Sequence, residues 1–163
     1  MIRGLLKHPI ASLVLVAGVA VAGVLFYRHL TSPQAVYERV LGYVEKGQYD
    51  KIWDHLDKSS RDTVMTGARF LNMVKADQSE EDPSEQGRDL FVKGCETARS
   101  LGGEPQNHRV TSVSIDGDRA TLKVVKGDDA SGNEITVSMV KEDGAWKIPL
   151  PSLGRSMIPG LSF

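Results

Sequence analysis

Hydrophobic and polar positions divide the chain into a continuous apolar run, stretches with helical spacing and stretches of strict alternation. The apolar run extends from Pro9 to Tyr27 without a charged residue. As a helix it would be roughly 28 Å long at about 1.5 Å per residue, which is close to the hydrocarbon thickness of a bilayer. The pattern therefore predicts a transmembrane anchor over residues 9–27, preceded by a cytoplasmic tail of residues 1–8.

A cleaved signal peptide is the alternative for this run, because Ala20-Val21-Ala22 is similar to a processing site. The apolar residues continue past that site to Tyr27, which favours an anchor that is not cleaved. Arg3 and Lys7 resist translocation, so the tail is expected in the cytoplasm and the rest of the chain outside. The predicted location is a bacterial cytoplasmic membrane, crossed once, with the C-terminal domain extracytoplasmic.

Helical spacing begins after Ser32 and Pro33, which predict the cap and the first residue of a helix that Gly47 ends. The stripe of this helix that we expect to be buried consists of Tyr37, Val40, Leu41 and Val44. A second, shorter helix is predicted from the same kind of spacing, shown by Tyr49, Ile52, Trp53 and Leu56.

Two further helices are predicted before the spacing changes. The third would begin with a capping box at Ser59 and Asp62, and its inner face would consist of Val64, Ala68, Leu71 and Val74. A polar, acidic loop over residues 77–85 follows, and Ser84 at its end would cap the fourth helix. That helix would end at Gly102-Gly103 and carry on one side Leu90, Phe91, Gly94, Cys95, Ala98 and Leu101.

From Arg109 onward apolar and polar residues alternate, and Asp116-Gly117-Asp118 and Asp143-Gly144 supply turns. Pro149 and Pro151 confine the last strand to an edge or an end. The apolar positions of the strands are Val113, Ile115, Ala120, Leu122, Val124, Ile135, Val137, Met139, Trp146, Ile148 and Leu150. The pattern predicts an α+β domain over residues 33–150, in which three to four helices pack on one face of a curved four-stranded antiparallel sheet.

Three parts of this domain carry a resemblance to a known superfamily. They are residues 35–41 (AVYERVL) running into 46–50 (KGQYD), residues 53–56 (WDHL), and the hairpin at residues 140–148 (VKEDGAWKI). In these the chain resembles the nuclear transport factor 2-like superfamily, the ketosteroid-isomerase type of α+β cone, in its small bacterial secreted and membrane-anchored members. The stretch 77–103 departs from that pattern. The resemblance implies a fold, and fold alone does not assign an activity.

Charge and cysteine content narrow the classes of partner. Beyond the first 27 residues lie 18 of the 20 basic residues and all 21 acidic ones, which is not the balance of a nucleic-acid-binding protein. Cys95 is the single cysteine and falls on an apolar helix face, so it is predicted to be a buried small hydrophobe. The expected partners are the membrane, through residues 9–27, and a protein or a second copy. Gly18 and Ala22 are spaced as a small-residue pair that would let two such helices approach closely, but both residue types are also simply common in membrane spans.

No catalytic residue is assigned from the sequence. An enzyme with this fold would place a carboxylate or a histidine inside the cone. Asp54, His55 and Asp57 are predicted to face away from the buried side of their helix, and His108 lies at the start of a strand without a nearby nucleophile. Neither a zinc-protease helix nor a serine-hydrolase elbow occurs in the chain.

No metal or cofactor is assigned either. Residues 127–134 are rich in side-chain oxygens and glycine, as calcium loops are, but they lack the spacing of an EF-hand. We therefore interpret them as a solvated hairpin loop. The acidic residues between 77 and 85 are interpreted in the same way.

An apolar C-terminal tail covers residues 151–163 and supplies the candidate interaction residues Leu153, Met157, Ile158, Leu161 and Phe163. Such residues need a surface to cover, so the tail docks on its own domain, binds a partner or is disordered. The leading functional hypothesis is a non-enzymatic, membrane-tethered interaction or ligand-binding module of an envelope complex. The alternative is a small-molecule isomerase or hydrolase, which a buried carboxylate or histidine facing a tyrosine would favour.

Overall fold

The first helix begins and ends where its capping residues predict. In the computed structural model, which describes residues 31–75, 82–101, 107–127 and 134–158, helix α1 spans Pro33–Glu45. The Ser32 hydroxyl accepts a hydrogen bond from the Ala35 amide at 3.2 Å. Gly47 follows the helix with a φ of +66°, a left-handed conformation that glycine adopts without strain. Helix α2 (Tyr49–Ile52) continues into a 3-10 turn, Trp53–His55.

Two longer helices follow, α3 (Lys58–Lys75) and α4 (Pro83–Ser100), and their predicted caps are wrong. The Asp57 carboxylate accepts from the Ser60 amide at 3.2 Å, so Ser59 is not the cap of α3. The Asp82 carboxylate accepts from the Ser84 amide at 2.8 Å and caps α4. Pro83 explains the second shift, because proline suits the first position inside a helix and places the cap one residue before it.

The buried sides of α3 and α4 are shorter than predicted, because these helices pack mainly against each other. Leu71 is 42% exposed and Leu101 is 81% exposed, and both lie near the C-terminal end of a helix, where the core no longer covers them. The side chain of Val74 and residues Gly102-Gly103 lie outside the described residues. The predicted positions that are buried are Val64, Ala68, Phe91, Cys95 and Ala98.

The antiparallel meander is confirmed. Strands β1 (His108–Asp116), β2 (Arg119–Lys126), β3 (Glu134–Glu142) and β4 (Ala145–Lys147) lie side by side in chain order. Leu122 lies opposite Val113 on one side and Val137 on the other, so apolar residues share the face that points at the helices. The register of β1 shifts between Val110 and Ser112, which marks a β-bulge.

The last predicted strand is wrong beyond Lys147. Ile148 makes an isolated parallel bridge with Leu56, and Leu150 begins a fifth helix in the described chain, α5 (Leu150–Ser156). The two prolines explain the change, because Pro149 cannot donate a ladder hydrogen bond and Pro151 suits the first turn of a helix. The domain therefore continues past residue 150, and α5 packs on β3.

Several predictions fall on residues that the structure does not describe. The predicted anchor at 9–27 with its tail, and most of the loops at 77–85 and 127–134, lie outside the described residues. Among the helices of the described ranges, none combines the length and the apolar character that crossing a bilayer requires.

Candidate functional site

A tyrosine, a histidine and a serine from three different elements meet between the helices and the sheet. Tyr37, in the buried stripe of α1, is fully buried, and its hydroxyl lies 3.2 Å from Nδ1 of the half-buried His108 at the start of β1. The Tyr37 hydroxyl is also hydrogen-bonded to the side chain of Ser156, which is buried at the end of α5. We call these three residues the Tyr37 cluster.

One hydrogen-bond direction at the Tyr37 cluster is fixed by the chemistry of its acceptor. The Ser156 hydroxyl donates to the Ser152 carbonyl at 2.6 Å, because a carbonyl can only accept. The donor between the Tyr37 hydroxyl and Nδ1 of His108 is set by the tautomer of the imidazole: an Nδ1–H donates to the phenol oxygen, and a bare Nδ1 accepts from the phenol O–H.

Burial holds both ionisable members of the cluster in their neutral forms. It raises the pKa of Tyr37 to about 12. Burial first, and then the Lys126 ammonium, lower the pKa of His108 to about 4. Lys126 lies opposite His108 in the β1–β2 register, and its Nζ donates to the Arg155 carbonyl at 3.0 Å. Near neutral pH the cluster therefore carries no charge, while a cation lies next to it.

A cleft of about 270 Å³ opens beside this cluster. We call it the His108 cleft; its lining residues are Leu41, Glu45, Asn107, His108, Arg109 and Gly127. Glu45 and Arg109 bring opposite charges to the lining, and Leu41 brings an apolar wall. The cleft thus combines one apolar side with several groups that donate and accept hydrogen bonds.

The three candidates near the second helix do not join the Tyr37 cluster. Asp54 is exposed and pairs with Arg88 at 3.0 Å. His55 is half-buried against the ring of Tyr43, with centroids 5.9 Å apart. Asp57 is buried, so its predicted exposure is wrong, because its carboxylate turns inward to cap α3. The pKa of His55 is lowered, chiefly by burial.

Cys95 is buried, as predicted, and burial raises the pKa of its thiol to about 12. A thiol with that pKa is protonated at neutral pH and is a poor nucleophile. Within the ranges that the structure describes, no three histidine, cysteine or acidic side chains come together in a way that would hold a metal ion.

The C-terminal candidates separate into two groups. Leu153, Met157 and Ile158 are buried in the core, so the described part of the tail packs on its own domain and these three side chains offer no surface to a partner. Leu161 and Phe163 lie outside the described residues.

Two surface features were missed by sequence reasoning. A second, shallow cleft of about 650 Å³ lies between the start of α3 and the end of β3; its lining residues are Lys58, Ser59, Asp62, Thr63, Thr66 and Glu142. Further along α3, Phe70 and Met73 are exposed at 65% and 80%. Both residues lie off the predicted inner face of α3, and that was the signal available in the sequence.

Comparisons with known proteins give a likeness of fold alone. No family model matches the chain, and no curated protein matches it. A crystal structure named an NTF2-like transpeptidase from Campylobacter jejuni is similar with a TM-score of 0.41 and 14% identity, over 74% of this chain and 99% of that one. A de novo designed protein with a curved β-sheet is similar with a TM-score of 0.26 and 22% identity, over 40% of this chain and 57% of that one.

The class of protein therefore rests on the observed elements. Helices α1 to α4 precede a four-stranded antiparallel meander, which is the α+β order expected from the sequence, and α5 follows it, which was not expected. The departure at 77–103 includes the whole of helix α4, which packs on α3.

Proposed function

We propose that this chain is a non-enzymatic binding module, tethered to the outer face of a bacterial cytoplasmic membrane, with its ligand site in the His108 cleft. The observation that carries the proposal is the position of that cleft, which opens onto an imidazole held in one orientation by Tyr37. A fixed, neutral imidazole between charges of opposite sign is suited to orienting a small polar ligand.

The ionisation of the Tyr37 cluster supports binding over acid–base chemistry. A general acid or base works best with a pKa near the operating pH. Here burial moves the pKa of His108 down to about 4 and that of Tyr37 up to about 12, away from neutrality in both cases. Binding a ligand to such neutral groups costs little free energy, because no change of protonation is needed.

A small-molecule isomerase or hydrolase is the second candidate, and the contact between His108 and Tyr37 favours it. In such an enzyme the imidazole of His108 would exchange a proton with the substrate. Nuclear magnetic resonance of the imidazole in the full chain separates the candidates. A pKa of His108 well below its ordinary value supports the binding module, and a pKa near neutrality supports the enzyme.

Ligand binding is tested with the full chain, released from bacterial membranes in mild detergent and weighed by native mass spectrometry. We expect a small-molecule adduct that is lost in Arg109→Ala and retained in Arg119→Ala. Both arginines are exposed strand residues, but only Arg109 lines the His108 cleft. An adduct that survives Arg109→Ala, or no adduct on the native chain, would count against the site.

The orientation in the membrane is tested separately, by labelling with a maleimide that does not cross membranes. Ser138 is exposed on β3, and the natural Cys95 is buried. We expect Ser138→Cys to react in intact spheroplasts. A cysteine at position 4, in the predicted cytoplasmic tail, should react only after permeabilisation, and the reverse order would show that the orientation is wrong.

A further inference from the structure

Strand β1 forms one edge of the sheet in the part of the chain that the structure describes. We propose that residues 112–116 of this strand pair antiparallel with the same residues of a second copy, about a twofold axis at Ser114. This inference is independent of the ligand site, since the His108 cleft lies at the other end of the strand.

The edge has few of the features that normally prevent strand pairing. Charged side chains, prolines and bulges protect natural edge strands. Here the bulge lies between Val110 and Ser112, so the five residues that follow it form a regular strand up to the turn at Gly117. Within that segment Asp116 is the single charged residue, and it stands at the end.

An apolar side chain is left uncovered at this edge. Ile115 lies opposite the buried Ala120, so it belongs to the face that points at the helices, yet it is 56% exposed. Val113, on the same face, is half-buried. An added strand would extend this face and cover both side chains, which is how strand addition gains affinity beyond its backbone hydrogen bonds.

The segment is complementary to itself, which is why we assign a second copy as its partner. About an axis at Ser114, Val113 lies opposite Ile115 of the other copy on the core-facing side. Ser112 then lies opposite Asp116 on the outer side, where a hydroxyl can donate to a carboxylate. Shifting the register of the two strands by one residue would place apolar positions opposite polar ones. A shift in either direction would also leave fewer paired residues between the bulge and the turn.

Two matched cysteine variants of the full chain in detergent test this register. Ser112 and Ser114 are both exposed and both face away from the core. In the proposed pair Ser114 lies opposite Ser114 of the other copy. The two Ser112 residues are four strand positions apart, which is about 13 Å at about 3.3 Å for each residue. Because disulfides need Cα atoms less than about 7 Å apart, mild oxidation should cross-link Ser114→Cys and leave Ser112→Cys monomeric.

A further variant tests the role of the apolar contact. Adding Ile115→Lys to Ser114→Cys places a charge opposite Val113 and should abolish the cross-link, while Ile115→Val should retain it. Equal cross-linking of the two cysteine variants would overturn the proposal, as would undiminished cross-linking with Ile115→Lys. If Ile115→Lys unfolds the chain, the comparison of the two exposed serines still decides.

Discussion

Tyr37 shows how a polar group can stand inside an apolar core at little cost. Its ring extends the buried stripe of α1, and its hydroxyl reaches two partners, His108 and Ser156. Buried polar atoms are stable when they are paired, and no buried side-chain nitrogen or oxygen in the described ranges lacks a partner. The Tyr37 cluster thus connects α1, β1 and α5.

Removing the hydroxyl leaves two partners with an unmet hydrogen bond. We expect Tyr37→Phe to lower the free energy of unfolding by about 1 to 3 kcal/mol, measured from urea transitions of the full chain. Tyr43→Phe is the matched control on the same helix, since the contacts of Tyr43 with His55 and Lys51 are made by its ring. Equal losses of unfolding free energy in the two variants would show that the hydrogen bonds of the Tyr37 cluster add no stability of their own.

His108 makes stability depend on pH. Its pKa is about 4 in the folded chain and about 6.5 when unfolded, so between these values the unfolded chain binds the proton and the folded chain does not. Its contribution is complete above pH 6.5 and is lost as the pH falls toward 4. Lys126 opposite it, with Arg109 and Glu45 in the cleft, are the charged groups that face it.

We therefore expect the difference in unfolding free energy between the native chain and His108→Gln to change with pH. Going from about pH 7 to about pH 5, the native chain should lose roughly 1 to 2 kcal/mol relative to the variant, after allowance for solvent screening of a half-buried group. Urea transitions of both proteins at the two pH values measure this change in the difference of unfolding free energy. A constant difference would show that folding leaves the pKa of His108 unchanged.

At the scale of elements, α3 and α4 cross where Gly87 allows close approach. A Cβ at Gly87 would lie 2.7 Å from Met65 Cγ and 3.2 Å from Trp53 Cη2. At Gly67 on the facing helix, a Cβ would meet Leu90 Cδ2 at an ordinary 3.8 Å. The two glycines therefore differ in what surrounds them, although both stand inside helices.

Alanine at these two positions should act in opposite directions. Gly87→Ala should destabilise the chain by about 1 to 3 kcal/mol through overpacking. Gly67→Ala should stabilise it by up to about 1 kcal/mol, because alanine is the better helix former. Thermal unfolding of the full-length variants measures both, and stabilisation by both substitutions would show that the crossing is looser than the distances indicate.

Helix α5 contributes core rather than surface. Leu153 is fully buried, and the Leu150 amide donates to the Ser60 hydroxyl at 2.7 Å, which ties the start of α5 to α3. We expect Leu153→Ala to cost about 2 to 5 kcal/mol. Truncation of the full chain after Ser152 should also lower the melting temperature and increase binding of a hydrophobic dye. Unchanged melting would mean that the helix is dispensable.

For the whole molecule, the proposed membrane anchor at residues 9–27 determines how far the domain lies from the membrane. If residues 9–27 cross the bilayer, only five residues separate the anchor from α1, which begins at Pro33. A short connection keeps the domain close to the membrane surface and raises the encounter rate of two copies in the same membrane.

We expect the full chain to remain in the membrane pellet after extraction with alkaline carbonate, because a spanning apolar helix is not released by high pH. Replacing Val16 and Val19 with aspartate should release it, since charges at the bilayer centre are costly. Recovery of the native chain in the carbonate supernatant would contradict the anchor.

The sequence by itself determined the features that local physics controls. The Ser32 cap, the Gly47 stop, the two β-turns and the periods of α1 to α4 and of β1 to β3 are set within a few residues, so they could be predicted. Those signals gave the α+β order and the meander. They also placed Tyr37 and Cys95 on buried faces, because amphipathic spacing records which side of an element meets the core.

Only the tertiary structure decided which distant residues meet. Tyr37 and His108 are 71 positions apart, and their contact depends on how α1 lies across the sheet. The two prolines end the strand and suit the start of a helix, but only the packing of α5 on β3 and the burial of Leu153 decide that this segment joins the core.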